Sequence, residues 1–122
     1  MIILVVEDNR PMRLLLIDLV RSAFPTSTVL EAADADSATR LFHNTRPDLV
    51  LMDVALPDGN GIALTAQIKS LHPASRIVVV SSDQSRVCQE AAAAAGATAY
   101  VVKDDVFDKL LPAIALALPL VP

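Results

Sequence analysis

The chain has 122 residues and 53% of them are hydrophobic, which favours one compact domain with a sizeable core over a disordered chain. Its net charge of −4 argues against binding of nucleic acid by this domain, because a nucleic-acid surface needs clustered Lys and Arg. A single cysteine, Cys88, excludes an intrachain disulfide framework, and no apolar stretch approaches the roughly 20 residues of a membrane span. We therefore expect a cytoplasmic protein that does not enter the membrane.

Short apolar runs predict five strands. Four of them are continuous, as in strands that a parallel sheet buries on both faces. These four runs are Ile2–Val6, Leu49–Met52, 77–80 and Ala99–Val102. The fifth run, Thr28–Ala32, contains Glu31 and is expected at an edge of the sheet.

Helical periodicity fills the segments between these strands. In the first of them, residues 12, 15, 16, 19, 20 and 23 form one apolar helix face, and Asn9 is expected to cap this helix. The second and third helices end shortly before a proline, and the fourth covers the alanine run 91–95 with Gly96 as its stop. The fifth helix is expected over residues 108–118, because that start keeps Pro112 in the first turn, where a missing N–H costs little.

Strands that alternate with helices five times predict a parallel sheet covered by helices on both faces. With right-handed crossovers, the expected fold is a single-domain, doubly wound (βα)5 α/β sandwich over residues 1–122. The expected strand order is the flavodoxin-like 2-1-3-4-5. In such folds the ligand site lies outside the carboxyl ends of the strands, here between strands 1 and 3.

Polar side chains follow the strands at that edge of the sheet. Glu7 and Asp8 follow the first strand, Asp53 the third, Ser81 the fourth and Lys103 the fifth. Three neighbouring carboxylates repel one another and need a cation or a proton, and an open site with oxygen ligands favours Mg²⁺ over Ca²⁺. A carboxylate can also attack a phosphoryl donor, so Asp53 is expected to form an acyl phosphate that Lys103 and Ser81 contact.

The order and spacing of these motifs resemble the response-regulator receiver domains of two-component signalling, the CheY-like superfamily. The residues that carry the resemblance are Glu7-Asp8, the segment 53–61, Ser81, and Tyr100 followed at the third position by Lys103. The resemblance implies the following roles: Asp53 as phosphoacceptor, Glu7, Asp8 and the backbone carbonyl of Ala55 as Mg²⁺ ligands, Ser81 and Tyr100 as switch residues, and Lys103 as phosphate contact.

The same resemblance implies a signalling switch and not a turnover enzyme, although the domain catalyses its own phosphorylation and dephosphorylation. The donor would be a histidine kinase or a histidine phosphotransfer protein, and the face of the fourth helix, fifth strand and fifth helix would control a partner or an effector domain. The sequence leaves open whether the domain stands alone or is cut from a longer regulator. Asp104 stands where the family commonly has a proline, which leaves the cis or trans state of the Lys103–Asp104 bond open. Ser82 and Leu56 replace the usual Ala and Met.

The C-terminal segment 110–122 has no charged residue. A helix that is apolar all round is normally covered on more than one side. One face of the helix must pack on the sheet, and the other would meet a partner, a following domain or a second copy of the chain. A homodimer through the fifth helix, or through the wider face that contains it, is therefore expected.

Each motif also has a simpler, structural interpretation. Glu7 and Asp8 could cap the first helix, and Asp53 could begin a turn. Ser81 could form a capping box with Gln84 that opens the fourth helix. Lys103 could pair with Asp104 or Asp105 at the surface, and Tyr100 could be a plain core aromatic.

Three other functions compete with the receiver prediction. A haloacid-dehalogenase-type phosphatase would need a second acid at Ala55, and a nucleotide or flavin module would need a glycine-rich loop after the first strand. A pseudo-receiver that binds partners without chemistry would not need all of the key residue types that this chain retains.

Overall fold

The computed structural model describes residues 1–118, which form one parallel sheet and five α-helices. The strands are β1 (Ile2–Val6), β2 (Thr28–Ala32), β3 (Leu49–Met52), β4 (Ile77–Ser81) and β5 (Ala99–Val102). The helices are α1 (Arg10–Ala23), α2 (Ala35–Thr45), α3 (Gly61–Leu71), α4 (Arg86–Ala95) and α5 (Val106–Ala117). A small hairpin that pairs Ala55–Leu56 with Gly59–Asn60 precedes α3, and a 3₁₀ turn, Lys103–Asp105, precedes α5.

The strand order is β2-β1-β3-β4-β5, which confirms the predicted flavodoxin-like topology with β2 at an edge. The pairing that matters most for the site is that of β1 with β3, in which Val6 lies opposite Met52. Because both strands run in the same direction, the residues that follow them emerge side by side at one edge of the sheet. This register places Glu7 next to Asp53.

Two hydrophobic layers sandwich the sheet, which explains the continuous apolar runs of the strands. Along β1, Ile3 and Val5 pack into the layer that contains α1 and α5, whereas Leu4 and Val6 pack into the layer that contains α2 and α3. Side chains alternate between the faces of a strand, so a strand with helices on both sides needs apolar residues at every position. All four of these side chains are at most 1% exposed.

The predicted ends of α1 and α4 agree with the structure. The Asn9 side chain caps α1 by accepting a hydrogen bond from the Met12 N–H at 2.9 Å. Gly96 ends α4 with a φ of 106°, a left-handed conformation that glycine adopts without the steric cost of a Cβ.

The predicted start of α5 is wrong. The helix begins at Val106 and not at Asp108, so Pro112 lies in its interior instead of its first turn. Val106 and Leu110 are 2% and 0% exposed, and their burial against the sheet selects the earlier start. Packing of the helix therefore outweighs the hydrogen bond that the proline removes.

The capping box at Ser81 is also wrong. Ser81 is still part of β4, where it lies opposite Val102 of β5. The cap of α4 is Ser85, whose side chain accepts a hydrogen bond from the Cys88 N–H at 3.2 Å.

Two further features of residues 1–118 bear on the sequence predictions. The Lys103–Asp104 peptide bond, like every other bond in this part of the chain, is trans. None of the helices described here has the length and apolar character that crossing a bilayer requires.

Candidate functional site

An acidic cluster lies at the carboxyl edge of the sheet, as the sequence predicts. Glu7, Asp8 and Asp53 each present a carboxylate oxygen, and these atoms lie within 4.8 Å of one another. Glu7 is 0% exposed and Asp53 is 4% exposed, whereas Asp8 faces solvent. Two of the three carboxylates are thus largely withdrawn from water, which raises the cost of their mutual repulsion.

Lys103 is the cation that contacts the buried pair. Its Nζ lies 2.7 Å from Glu7 Oε1 and 3.3 Å from Asp53 Oδ1. The 3₁₀ turn that follows β5 carries the lysine side chain over the ends of β1 and β3. Lys103 therefore points into the cluster, and the alternative of a surface pair with Asp104 or Asp105 is not what the structure shows.

The charges of the cluster shift the pKa values of its members. Burial raises the pKa of Glu7 to about 7, and the neighbouring Asp53 carboxylate adds to this, while the Lys103 contact opposes it. Burial lowers the pKa of Lys103, but its contacts with Glu7 and Asp53 outweigh that effect and leave the pKa above its usual value. The three carboxyl groups of the cluster can therefore carry more negative charge than Lys103 neutralises.

The residues present suit a hard divalent cation. Among residues 1–118, Glu7 Oε1 is a buried side-chain oxygen without a partner in hydrogen-bonding geometry, despite its short contact with Lys103. Carboxylate oxygens from Glu7, Asp8 and Asp53, with solvent access at Asp8, are the donor set that Mg²⁺ accepts. Ala55 lies two residues beyond Asp53 and pairs with Asn60 in the hairpin. The role of its backbone carbonyl as a metal ligand stays a prediction.

Ser81 and Tyr100 meet at the loop between β4 and α4. Ser81 is 4% exposed, and its hydroxyl accepts a hydrogen bond from the Asp83 N–H at 3.1 Å. The Tyr100 hydroxyl donates to the Asp83 carbonyl at 2.7 Å and contacts Cys88 Sγ at 3.1 Å. Burial, together with Cys88, raises the pKa of Tyr100 to about 12, so the phenol keeps its proton. Asp83 thus connects the two predicted switch residues.

Two supporting residues were not singled out by the sequence. A Cβ on Gly61 would lie 1.8 Å from the carbonyl oxygen of Asp53, so only glycine fits against the end of β3. Arg13 donates from Nη1 to the Glu7 carbonyl at 2.9 Å and from Nε to Glu31 at 2.9 Å. The arginine is one of ten basic residues in the chain and has no local signal that separates it from the others.

Known proteins share both the sequence pattern and the fold. The family model of the response regulator receiver domain matches residues 3–115. The transcriptional regulatory protein PdtaR of Mycobacterium tuberculosis is 38% identical over 115 residues, which are 94% of this chain and 55% of PdtaR. The chemotaxis protein CheY of Bacillus subtilis is 36% identical over 115 residues, which are 92% of each protein.

Solved structures extend the likeness to three dimensions. A LuxR-family two-component response regulator from Aurantimonas sp. SI85-9A1 has a TM-score of 0.85 at 36% identity, over 93% of this chain and 81% of that chain. The response regulator TrrA of Thermotoga maritima, solved in complex with Mg(2+)-BeF, has a TM-score of 0.85 at 25% identity, over 96% of this chain and 98% of that chain. The chain spans about half the length of the PdtaR relative, at 55%, and nearly all of CheY, at 92%. This chain belongs to the response regulator receiver domains of two-component signalling.

Proposed function

We propose that this domain is a phosphorylation-operated switch of the cytoplasm, in which Asp53 accepts a phosphoryl group from a histidine kinase or a phosphotransfer protein. The observation that carries the proposal is the position of Asp53. Its carboxylate lies beside those of Glu7 and Asp8, and its Oδ1 is 3.3 Å from Lys103 Nζ. A carboxylate flanked by metal-ligand oxygens and a lysine has the groups that phosphoryl transfer requires around the nucleophile.

The residues of the site have separate tasks in this transfer. A carboxylate oxygen of Asp53 attacks phosphorus, and the bond from phosphorus to the donor breaks as the donor leaves with the electron pair. Lys103 provides a positive charge beside the reacting carboxylate. Mg²⁺, held by Glu7, Asp8, Asp53 and the Ala55 carbonyl, would supply further positive charge to the phosphoryl oxygens. The same groups serve hydrolysis of the acyl phosphate, so the domain also catalyses its own dephosphorylation.

The contacts of Asp83 support a route from phosphorylation to the surface. The Ser81 hydroxyl uses a lone pair for the Asp83 N–H, so its own proton is available to a phosphoryl oxygen. A shift of Ser81 towards that oxygen would move Asp83, whose carbonyl holds the Tyr100 hydroxyl. Because this loop leads into α4, the face of α4, β5 and α5 would change with it.

The energy needed for such a switch is within reach of a few hydrogen bonds. Moving a two-state equilibrium from 1:99 to 99:1 takes about 5.5 kcal/mol of differential binding. Phosphorylation adds roughly −1.5 to −2 charges and three strong acceptors. Hydrogen bonds from Ser81 and Lys103 to those acceptors, at about 1.5–3 kcal/mol each, would supply most of it.

A second copy of the chain is the partner that we propose for the face of α4, β5 and α5. Large apolar side chains on α4 and α5 are exposed to solvent at this face: Val87 of α4 and Leu116 of α5, each at 77%. The predicted apolar stretch continues through residues 119–122, which lie outside the described residues. Sedimentation velocity with and without beryllofluoride should show a dimer that Leu116→Lys weakens, and a strict monomer under both conditions would contradict it.

Mass spectrometry tests the central proposal. Incubation with Mg²⁺ and acetyl phosphate should add about 80 Da, the mass of one phosphoryl group, in a labile form. Asp53→Asn should abolish the adduct, whereas Asp104→Asn, a solvent-exposed acid outside the cluster, should leave it unchanged. An adduct that survives in Asp53→Asn, or no adduct in the wild-type protein, would refute the proposal. Turnover of unrelated phosphoesters would favour the phosphatase alternative.

A further inference from the structure

The segment that follows Asp53 is a closed hairpin with the phosphoacceptor at its base. The Val54 carbonyl accepts a hydrogen bond from the Gly61 N–H at 2.8 Å, which joins the two ends of the segment. From this bond towards the tip of the hairpin, Ala55 pairs with Asn60, and then Leu56 pairs with Gly59. Asp58 is at the tip and Ala55 is between the tip and the base, so a displacement of the tip is transmitted past Ala55.

Asp58 bonds the tip of this hairpin to a different element. Its two carboxylate oxygens accept hydrogen bonds from the Ala35 N–H at 2.6 Å and the Asp36 N–H at 3.0 Å, the first two amides of α2. The cap residue of α2 itself, Asp34, accepts from the Ser37 N–H at 2.7 Å. Two carboxylates therefore share the N-terminus of α2, and only that of Asp58 comes from the hairpin.

The hairpin has little else to fix its tip. Two residue pairs are too few for a stable hairpin in isolation. Of its residues, Leu56 is buried in the core at 9% exposure, whereas the residues from 57 to 60 are exposed. The Asn60 side chain caps α3 by accepting from the Ile62 N–H at 2.7 Å, which fixes the returning strand but not the tip. Within residues 1–118, the hydrogen bonds of Asp58 to α2 are the remaining anchor of the tip.

We propose that Asp58 is a positioning residue for the phosphoacceptor site. By holding the tip on α2, its carboxylate sets where the Ala55 carbonyl lies relative to Asp53, and therefore how well the site binds a divalent cation. This inference rests on the proposed function, because the position of Ala55 matters to cation binding only if a cation binds beside Asp53. Asp58 itself contacts neither the cation nor the phosphoryl donor.

Asp34 provides a matched control. Asp58→Ala and Asp34→Ala each remove one negative charge and one capping carboxylate from the same end of α2, but only the first releases the hairpin. In calorimetric titration with MgCl₂, we expect Asp58→Ala to raise the dissociation constant about threefold to tenfold. This is at or below the lower end of the roughly 10–100-fold that loss of an outer-shell partner costs a metal site, because Asp58 acts through the hairpin and not on a ligand directly. We expect Asp34→Ala to leave it nearly unchanged. Asp58→Asn, which keeps one oxygen acceptor, should restore part of the affinity.

Hydrogen exchange gives a second measurement that does not depend on the cation. In the metal-free protein, backbone amides of residues 54–61 should exchange faster in Asp58→Ala than in Asp34→Ala. Equal effects of the two variants on both measurements, or no effect of Asp58→Ala on either, would overturn the inference and leave Asp58 as a helix cap. If the wild-type protein bound no Mg²⁺, the proposed function would fail, and the exchange rates would still decide whether Asp58 holds the hairpin.

Discussion

Gly61→Ala is a sharp test of how tightly the segment from Asp53 to Gly61 is packed. Gly61 begins α3, and a Cβ at this position would lie 1.8 Å from the carbonyl oxygen of Asp53 and 2.8 Å from its carbonyl carbon. The same Cβ would lie 3.0 Å from Met52 Cγ. The first two contacts are with backbone at the end of a central strand, which cannot rotate away as a side chain can. Either the start of α3 or Asp53 must therefore move.

The size of the effect follows from this clash alone. Gly61 has no positive φ, so alanine meets no conformational penalty of the backbone itself. Overpacking of a well-packed interior costs about 1–3 kcal/mol and occasionally more. Because the clash is with backbone, we expect the free energy of unfolding to fall by about 3 kcal/mol, at the upper end of that range.

Gly59→Ala, in the same hairpin, is the control. A Cβ on Gly59 would meet only Ala35 Cβ, at an ordinary contact distance of 3.5 Å. With no clash, the substitution should change the free energy of unfolding by less than about 1 kcal/mol, and it should be slightly stabilising because the unfolded chain loses freedom.

Urea unfolding followed by far-ultraviolet circular dichroism measures both variants. Gly61→Ala should lower the midpoint strongly and slow adduct formation from acetyl phosphate, because the displaced backbone carries Asp53. If Gly61→Ala matched Gly59→Ala in stability and in adduct formation, the close approach at Asp53 would not constrain the site.

Three further predictions concern charge, capping and helix packing. At pH 8 and in the presence of EDTA, Lys103→Met should lower the free energy of unfolding by up to about 3 kcal/mol, because the buried Glu7 carboxyl must then either take up a proton or stay charged without its cation. Excess Mg²⁺ should recover part of the loss in a thermal melt, and a variant as stable as the wild type would contradict the pairing. Ser85→Ala should cost about 1 kcal/mol by removing the cap of α4, whereas Ser81→Ala should leave the helix intact, and amide exchange in α4 distinguishes the two. Pro112→Ala should raise the free energy of unfolding, measured in urea, by about 1–3 kcal/mol, because it restores a backbone N–H inside α5. A lower free energy of unfolding would instead show that packing of the proline ring stabilises the fold.

The topology and most element ends were predictable because their signals are local. A strand buried on both faces needs an apolar residue at every position, and the continuous apolar run from Ile2 to Val6 predicts such a strand. Capping residues such as Asn9 and Gly96 act within one turn of their own helix, so the sequence contains both partners of each contact. Five alternations then left the doubly wound sheet as the arrangement that connects them.

The incorrect predictions concern the ends of helices and strands that are determined by tertiary contacts. Pro112 predicted a late start for α5, but the burial of Val106 and Leu110 selects an earlier one at the expense of a hydrogen bond. Ser81 matches a capping box locally, yet its pairing opposite Val102 keeps it in the strand. In both cases the contacts that decide the end of the element are made with residues of another element. A local sequence pattern contains no information about such contacts.

The supporting residues of the site were hidden for the same reason. The reason for a glycine at position 61 lies in its distance to Asp53, eight residues earlier, and the role of Asp58 lies in the amides of a helix that begins at Ala35. Arg13 reaches back to the Glu7 carbonyl and across to Glu31 on the edge strand. The sequence supplied the charged groups of the site, and only coordinates supply the contacts that hold them in place.

The order of the strands also explains why the site contains unfavourable charge at rest. Because β1 and β3 are neighbours with Val6 opposite Met52, the residues that follow them are brought together whatever their charge. Glu7 and Asp53 are consequently buried with one lysine between them, and Asp8 adds a further carboxylate at the surface. The mutual repulsion of these carboxylates opposes folding, and the binding of positive charge among them relieves it. The electrostatic cost of the resting state therefore favours the binding of a cation among these carboxylates, and a cation bound there would also offset the negative charge that a phosphoryl group adds.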